Sequence, residues 1–239
     1  MEFEQPLIRG HLVQRYKRFL ADVDLGGGQV VTAHCANPGA MLGFTEPGTP
    51  VWLEPNDNPK RKLKYAWRLL ELPTGAVAGI DTSVPNRIVG EALAADAIPE
   101  VAGYTSIRPE QRYGTNSRID FLLQADGRPD CYLEVKNVHL IRDVPGLAEF
   151  PDCVTTRGAK HLGELAAMVD QGARAVMLYV VQRDDAKALA LANDLDPGYA
   201  DAFDAAYARG VEAIAYRAKL TTTRISLDSA LQVKPEHRR

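Results

Sequence analysis

The spacing of apolar positions changes near residue 80. Before that point they come in short bursts: Leu12-Val13-Gln14-Arg15-Tyr16, Phe19-Leu20-Ala21-Asp22-Val23, residues 29–34, Val51-Trp52-Leu53 and residues 65–72. Gly26-Gly27-Gly28, Asn37-Pro38-Gly39-Ala40-Met41 and Glu46-Pro47-Gly48 separate them. Bursts bounded by Gly, Pro and Asn predict strands. Five of them in the first eighty residues predict a small closed barrel of the five-stranded OB type.

Beyond Pro73-Thr74-Gly75 the elements lengthen. An alanine-rich helix is expected over residues 88–98, ended by Pro99, followed by strands over 118–124 and 131–138. Thr155 or Thr156 can cap a helix running through Leu162, Leu165, Met168 and Val169. Residues 175–181 form a continuous apolar run of buried-strand length, and Asp196-Pro197 opens a helix that ends near Gly210. A strand over 211–216 closes the pattern. The order α-β-β-α-β-α-β predicts an α/β domain whose mixed sheet is covered on both faces. The expected division is a barrel over residues 1–80 and an α/β domain over residues 81–239.

The whole chain has 239 residues, 46% hydrophobic and 25% charged, which excludes disorder and fibrous repeats. No apolar run approaches the roughly 18–20 residues of a bilayer span. Charges at Glu2, Glu4, Arg9, Arg15, Lys17 and Arg18 break any secretory signal. Three scattered cysteines make neither a disulfide framework nor a zinc knuckle, so a reducing cytoplasm is expected. His34 beside Cys35 has no partners at metal-ligand spacing. The net charge of −3 does not announce a nucleic-acid partner, yet Arg15-Tyr16-Lys17-Arg18 and Lys60-Arg61-Lys62-Leu63-Lys64 are local basic patches able to track phosphates.

The expected hairpin carries the chemistry. With its loop centred on Gly127, positions summing to 254 lie opposite, which pairs Asp120 with Glu134 and puts Lys136 on the same face. Opposed carboxylates destabilise a hairpin unless something positive sits between them, and Mg²⁺ or Mn²⁺ held by one or two carboxylates meets that need. Lys136 is then placed to orient or deprotonate water, or to hold a phosphate oxygen. Asp-x13-Glu-x-Lys on a hairpin is the pattern of PD-(D/E)XK nuclease-like sites. The tripeptide alone is weak, since 31 acids and 9 lysines give roughly one (D/E)xK by chance. Asp185-Ala186-Lys187 is a second match, on a segment expected to be helix-like. A helix before the hairpin and another after it add context to the first. On the second helix Arg157, Lys160, His161 and Glu164 share a stripe that can meet a phosphate backbone. Glu110 is a further candidate ligand for the same cation.

Several blocks in order resemble the sugar fermentation stimulation protein A family: Arg15-Tyr16-Lys17-Arg18-Phe19, Ala33-His34-Cys35, Asn58-Pro59-Lys60-Arg61-Lys62-Leu63, residues 116–123, Glu134-Val135-Lys136-Asn137-Val138, Phe150-Pro151-Asp152 and residues 157–162. The resemblance implies an OB-like barrel joined to a PD-(D/E)XK nuclease-like α/β domain. It also implies cytoplasmic, sequence-independent DNA binding and a link to sugar (maltose) utilisation. Carried onto this chain, Asp120, Glu134 and Lys136 match the nuclease motif, and Glu110, Arg118, Arg157, Lys160 and His161 match positions around it. The chain departs from the family at Pro38 and Ala40, where Thr and Ser are more usual. A metal-dependent phosphodiesterase is the leading expectation, with DNA the first substrate and RNA left open. The rival is a non-catalytic DNA-binding regulator that keeps the nuclease fold. Paired carboxylates also hydrolyse glycosides, but the partnered lysine and basic helix suit phosphate better. The oligomeric state is not legible.

Overall fold

The computed structural model describes residues 1–115 and 117–234. Six strands build the first half: β1 (Ile8–Tyr16), β2 (Leu20–Asp24), β3 (Val30–Cys35), β4 (Pro50–Pro55), β5 (Tyr65–Glu71) and β6 (Val77–Gly79). They order β3-β2-β1-β4-β5-β6, and a parallel β3–β5 pairing closes the first five into a barrel. The expected barrel is therefore present. Lys17 and Arg18 make the β1–β2 turn with positive φ, and Gly26, Gly27 and Gly28 make the next. Inward residues alternate along the strands, and Leu12, Val23, Ala33, Val51, Leu53 and Trp67 fill the interior.

The second half contains α1 (Val84–Ala94), β7 (Ser106–Tyr113), β8 (Ser117–Gln124), β9 (Cys131–Val138), β10 (Leu140–Ile141), β11 (Leu147–Phe150), α2 (Thr156–Asp170), β12 (Arg174–Val181), β13 (Ala188–Leu191), α3 (Pro197–Ala208), β14 (Glu212–Leu220) and β15 (Ile225–Lys234). One nine-stranded mixed sheet runs β10-β11-β13-β15-β14-β12-β9-β8-β7. Strand β12, an interior strand of this sheet, is parallel to both β9 and β14 and is buried on both faces, as its unbroken apolar run requires. One core lies between this sheet and the α2–α3 pair, the other between the sheet and α1.

Some expected elements shift. The first helix starts and ends four residues early, because Pro85 fits its opening turn and its backbone stops at Asp96, where φ is 53°. Pro99 instead opens a short 3-10 turn. Asp185-Ala186-Lys187 is turn and loop leading into β13, not helix. Strand β7 was not expected from the sequence: its charged, Pro-containing segment forms the edge of the sheet, where a missing N–H is tolerated.

Two caps meet at one carboxylate. Thr155 caps α2 by accepting from Gly158 N at 3.1 Å, while Asp196 accepts from Tyr199 N at 3.0 Å and from Thr155 N at 2.7 Å. Gly158 lets α2 approach α3, since a Cβ there would lie 3.0 Å from the Tyr199 ring.

The barrel and the α/β half share hydrogen bonds. Gly79 N donates to Gln182 O at 2.9 Å, Thr82 N to Ala36 O at 3.0 Å, and Asp184 N to Val77 O at 3.2 Å. The first residues reach further still. Phe3 N donates to Thr223 O, Ile225 N donates to Met1 O, and Glu2 bridges to Arg224, so residues 1–3 lie along the β14–β15 turn. Among the described residues no helix is long and apolar enough to cross a membrane.

Candidate active site

The β8–β9 hairpin pairs Phe121 with Leu133, Leu122 with Tyr132 and Leu123 with Cys131, the register expected from a loop centred on Gly127. Continued by one residue, it sets Asp120 at the level of Glu134. The ladder opens there. Asp120 takes the place of a backbone acceptor, its Oδ2 accepting from Val135 N at 2.7 Å and its Oδ1 from the Asn86 amide of α1 at 2.6 Å. The carboxylate is thus pinned between hairpin and helix. Asn86 carried no sequence signal, since the helix expected from the sequence began two residues after it.

Glu134 is 3% exposed and belongs to a cationic cluster. Its Oε1 accepts from Lys136 Nζ at 2.7 Å and from His161 Nδ1, and Lys136 Nζ lies 3.4 Å from the same imidazole nitrogen. Arg157 Nε donates to His161 Nε2 at 3.3 Å. With Nε2 accepting, the imidazole proton sits on Nδ1 and points at Glu134. The other carboxylate oxygen, Glu134 Oε2, is buried without a hydrogen-bond partner. Native proteins rarely leave a buried carboxylate oxygen unsatisfied, so this atom marks a place for a cation or donor.

Electrostatics separate the two acids. Burial, reinforced by the nearby charge of Glu134, pushes Asp120 up to about 6. Burial works the same way on Glu134, but the His161 hydrogen bond and the Lys136 charge outweigh it and hold that carboxyl below its ordinary range. Between about pH 4 and 6 the folded chain keeps a proton on Asp120 that the unfolded chain has released. Ionised Asp120 therefore costs stability, and the cost is complete above that window. Without added divalent cation, Asp120→Asn is expected to be more stable than the parent by about 2–3 kcal/mol near pH 7, with the gain gone at pH 4. Urea unfolding at the two pH values checks this, and an equal difference at both would refute it.

The remaining predicted residues divide by position. His161 was expected to face phosphate, but it is 5% exposed. It lies three residues after Gly158 and four before Leu165, which places it on the buried stripe of α2. Lys160 is exposed, donating to Thr115 O at 3.1 Å and lying 3.6 Å from Glu164. Glu110 is exposed in the middle of β7 with φ of 54°, rather than at a strand end. Among the described residues no group of three or more His, Cys, Asp and Glu is arranged to hold a metal ion, so Glu110 does not complete a triad with Asp120 and Glu134. Two carboxylates still suit Mg²⁺, which commonly takes one or two and leaves its other positions to water and phosphate.

In the barrel, Arg15 donates to the Arg18, Asn37 and Gly39 carbonyls, Arg18 to the Pro38 carbonyl at 2.8 Å, and the Tyr16 hydroxyl to Asp22. Both arginines thus support the turn at 37–39. Lys17 stands exposed at the β1–β2 turn, and Lys60 on the β4–β5 loop. Arg61 and Lys62, on the same loop, line a cleft of roughly 540 Å³ with His34, Tyr65 and Ser83. Arg118 is exposed on β8.

Comparison with known proteins covers both halves. The profile described as the SfsA N-terminal OB domain matches residues 13–80, and the Sugar fermentation stimulation protein RE domain matches residues 83–224. The sugar fermentation stimulation protein homolog of Dinoroseobacter shibae is 61% identical over 98% of this chain and 96% of its own length. That of a Jannaschia species is 57% identical over 98% of both chains. Among solved structures, Pyrococcus furiosus SfsA in complex with Ca²⁺ superposes with a TM-score of 0.86 at 26% identity, covering 98% of each chain. With barrel, α/β half and nearly the full length all matched, the chain belongs to the sugar fermentation stimulation protein family.

Proposed function

We propose that this protein is a divalent-cation-dependent phosphodiesterase that binds nucleic acid, DNA first, without reading its sequence. The observation that carries the reading is half-buried Asp120 at the level of buried Glu134, beside Lys136, with Glu134 Oε2 left unpaired. Asp120 and Glu134 Oε2 would hold Mg²⁺ or Mn²⁺. Such an ion, when bound, polarises a phosphoryl oxygen and lowers the pKa of water. His161, backed by Arg157, fixes the rotamer of Glu134 so that one oxygen stays free. Lys136 presents an ammonium group to orient water or a phosphate oxygen. The Pyrococcus furiosus relative is described in complex with Ca²⁺, another hard cation that favours carboxylate oxygens.

An OB barrel is a recurrent platform for nucleic-acid strands, and the cations offered here suit phosphates rather than base edges. A glycosidase would need paired carboxyl groups acting as acid and base. Lys136 against Glu134 is better matched to phosphate. One observation favours the non-catalytic regulator: Glu134 Oε1 already has the Lys136 ammonium and a His161 hydrogen bond without any metal. The unpaired Oε2 and the uncompensated charge of Asp120 weigh against it, because carboxylates facing a phosphate backbone oppose binding.

End-labelled single- and double-stranded DNA and RNA, incubated with the protein in Mg²⁺, Mn²⁺ or EDTA, test the proposal. Metal-dependent cleavage is expected, falling about 10²- to 10⁴-fold in Lys136→Ala. Binding without cleavage across the panel, unchanged by that substitution, would leave the regulator.

A further inference from the structure

We infer that the cleft at the end of the β7–β8 hairpin, lined by Arg112, Tyr113, Ser117 and Arg118, is a subsite for a nucleic-acid phosphate adjoining the carboxylate pair. It rests on the phosphodiesterase reading and adds where the strand lies. Arg112 and Arg118 are direct cross-strand partners. Like charges placed opposite each other destabilise a hairpin. Elsewhere Arg68, Arg142, Arg174, Arg183 and Arg217 each meet a carboxylate. Among the described residues Arg112 and Arg118 meet none. Two opposed guanidinium groups with no carboxylate partner are complementary to an external anion, and phosphate is one whose oxygens the guanidinium fork matches in bidentate fashion.

The second observation is independent of charge. Tyr113 is 7% exposed, its ring packs 5.6 Å from that of Tyr132, and its hydroxyl is buried with no hydrogen-bond partner. Burial, together with the charges of Glu134, Glu164 and Asp120, raises the hydroxyl above its ordinary range, so it remains a donor. Tyr113 lines the cleft and its hydroxyl feels the charges of the candidate active site, so the two adjoin. Two guanidinium groups exposed at one cleft without a carboxylate partner ask for an acceptor anion. The cleft, roughly 460 Å³, lies within the 300–1,000 Å³ typical of small-ligand sites. Glu164, whose carboxylate lies against Gly114, does not repel such a ligand strongly, because Lys160 pairs with it at 3.6 Å.

Fluorescence anisotropy with a short labelled single-stranded DNA in EDTA, read from 50 to 200 mM salt, tests the subsite apart from catalysis. Arg112→Gln with Arg118→Gln is expected to weaken binding about tenfold and to reduce the salt slope by roughly 1.4, two single-strand phosphate contacts. The double variant should melt at or above the parent, since opposed charges have been removed. Tyr113→Phe should raise KM more than it lowers kcat. Arg209→Gln, remote from the cleft, should bind as the parent does. If the double variant loses binding while the parent cleaves nothing, the subsite stands and the catalytic reading falls. If the parent cleaves and the double variant keeps its affinity and salt slope, the subsite is overturned and catalysis is untouched.

Discussion

Glu134→Gln is expected to lower metal-dependent cleavage about a thousandfold or more while leaving the fold intact. Glutamine keeps the size of the side chain and an oxygen that can still accept from Lys136 and His161. What disappears is the charge and the second oxygen, the one buried without a partner. A bound cation contributes several kcal/mol of charge stabilisation to phosphoryl transfer, and about 4 kcal/mol corresponds to a thousandfold in rate. Cation affinity, read by calorimetry on the same variant, should weaken in parallel. A variant that cleaves at the parent's rate would remove Glu134 from the chemistry.

The largest expected stability loss lies away from that site. Arg68, on β5, donates to Glu54 Oε2 at 2.8 Å and to Asp81 Oδ2, which ties the barrel wall to the entry of α1. Both acids are buried, Glu54 at 7% and Asp81 at 3% exposure. Glu54 Oε1 also accepts from Glu4 N at 2.7 Å, and Asp81 Oδ1 from Ser83 N at 2.9 Å. These bonds hold the carboxylates in place even without the arginine. Arg68→Leu would therefore strand two buried charges, at a cost of about 3–5 kcal/mol. In a chain of this length that corresponds to a fall in Tm of roughly 10 °C. Adding Glu54→Gln and Asp81→Asn should restore most of the loss. A single-variant loss below about 1 kcal/mol would show that water reaches these acids.

The barrel was legible because its signals are local: glycine and proline turns cut the chain into strands of the right length, and closure follows from five of them. The hairpin register was legible for the same reason, since one turn glycine fixes every pair up to Phe121 and Leu133. Strand β7 was not. Arg108, Pro109, Glu110 and Arg112 give it no apolar alternation, and β8 recruits it as an edge through backbone pairing that the sequence does not announce. Short strands β10, β11 and β13 depend on distant neighbours in the same way. In the site, residue types were readable but burial was not. His161 looked like one of three basic residues on a stripe, and only the packing of α2 against the sheet turns it toward Glu134. Arg68, Glu54 and Asp81 lie 13 to 27 positions apart and share no motif.

The pairing of residues 1–3 with the β14–β15 turn bears on how the protein is made. Translation delivers the barrel strands within the first eighty residues, so the barrel can close early. Met1 and Phe3, which belong to the core between the sheet and α1, lack their backbone partners until residues near 225 have left the ribosome. At about 5–20 residues per second that interval is roughly 7–30 s. Throughout it the backbone groups of Met1 and Phe3 wait for the strand edge that residues 223–225 later supply. Residues 1–3 are thus among the last to be paired, although they precede the barrel strands that can close first.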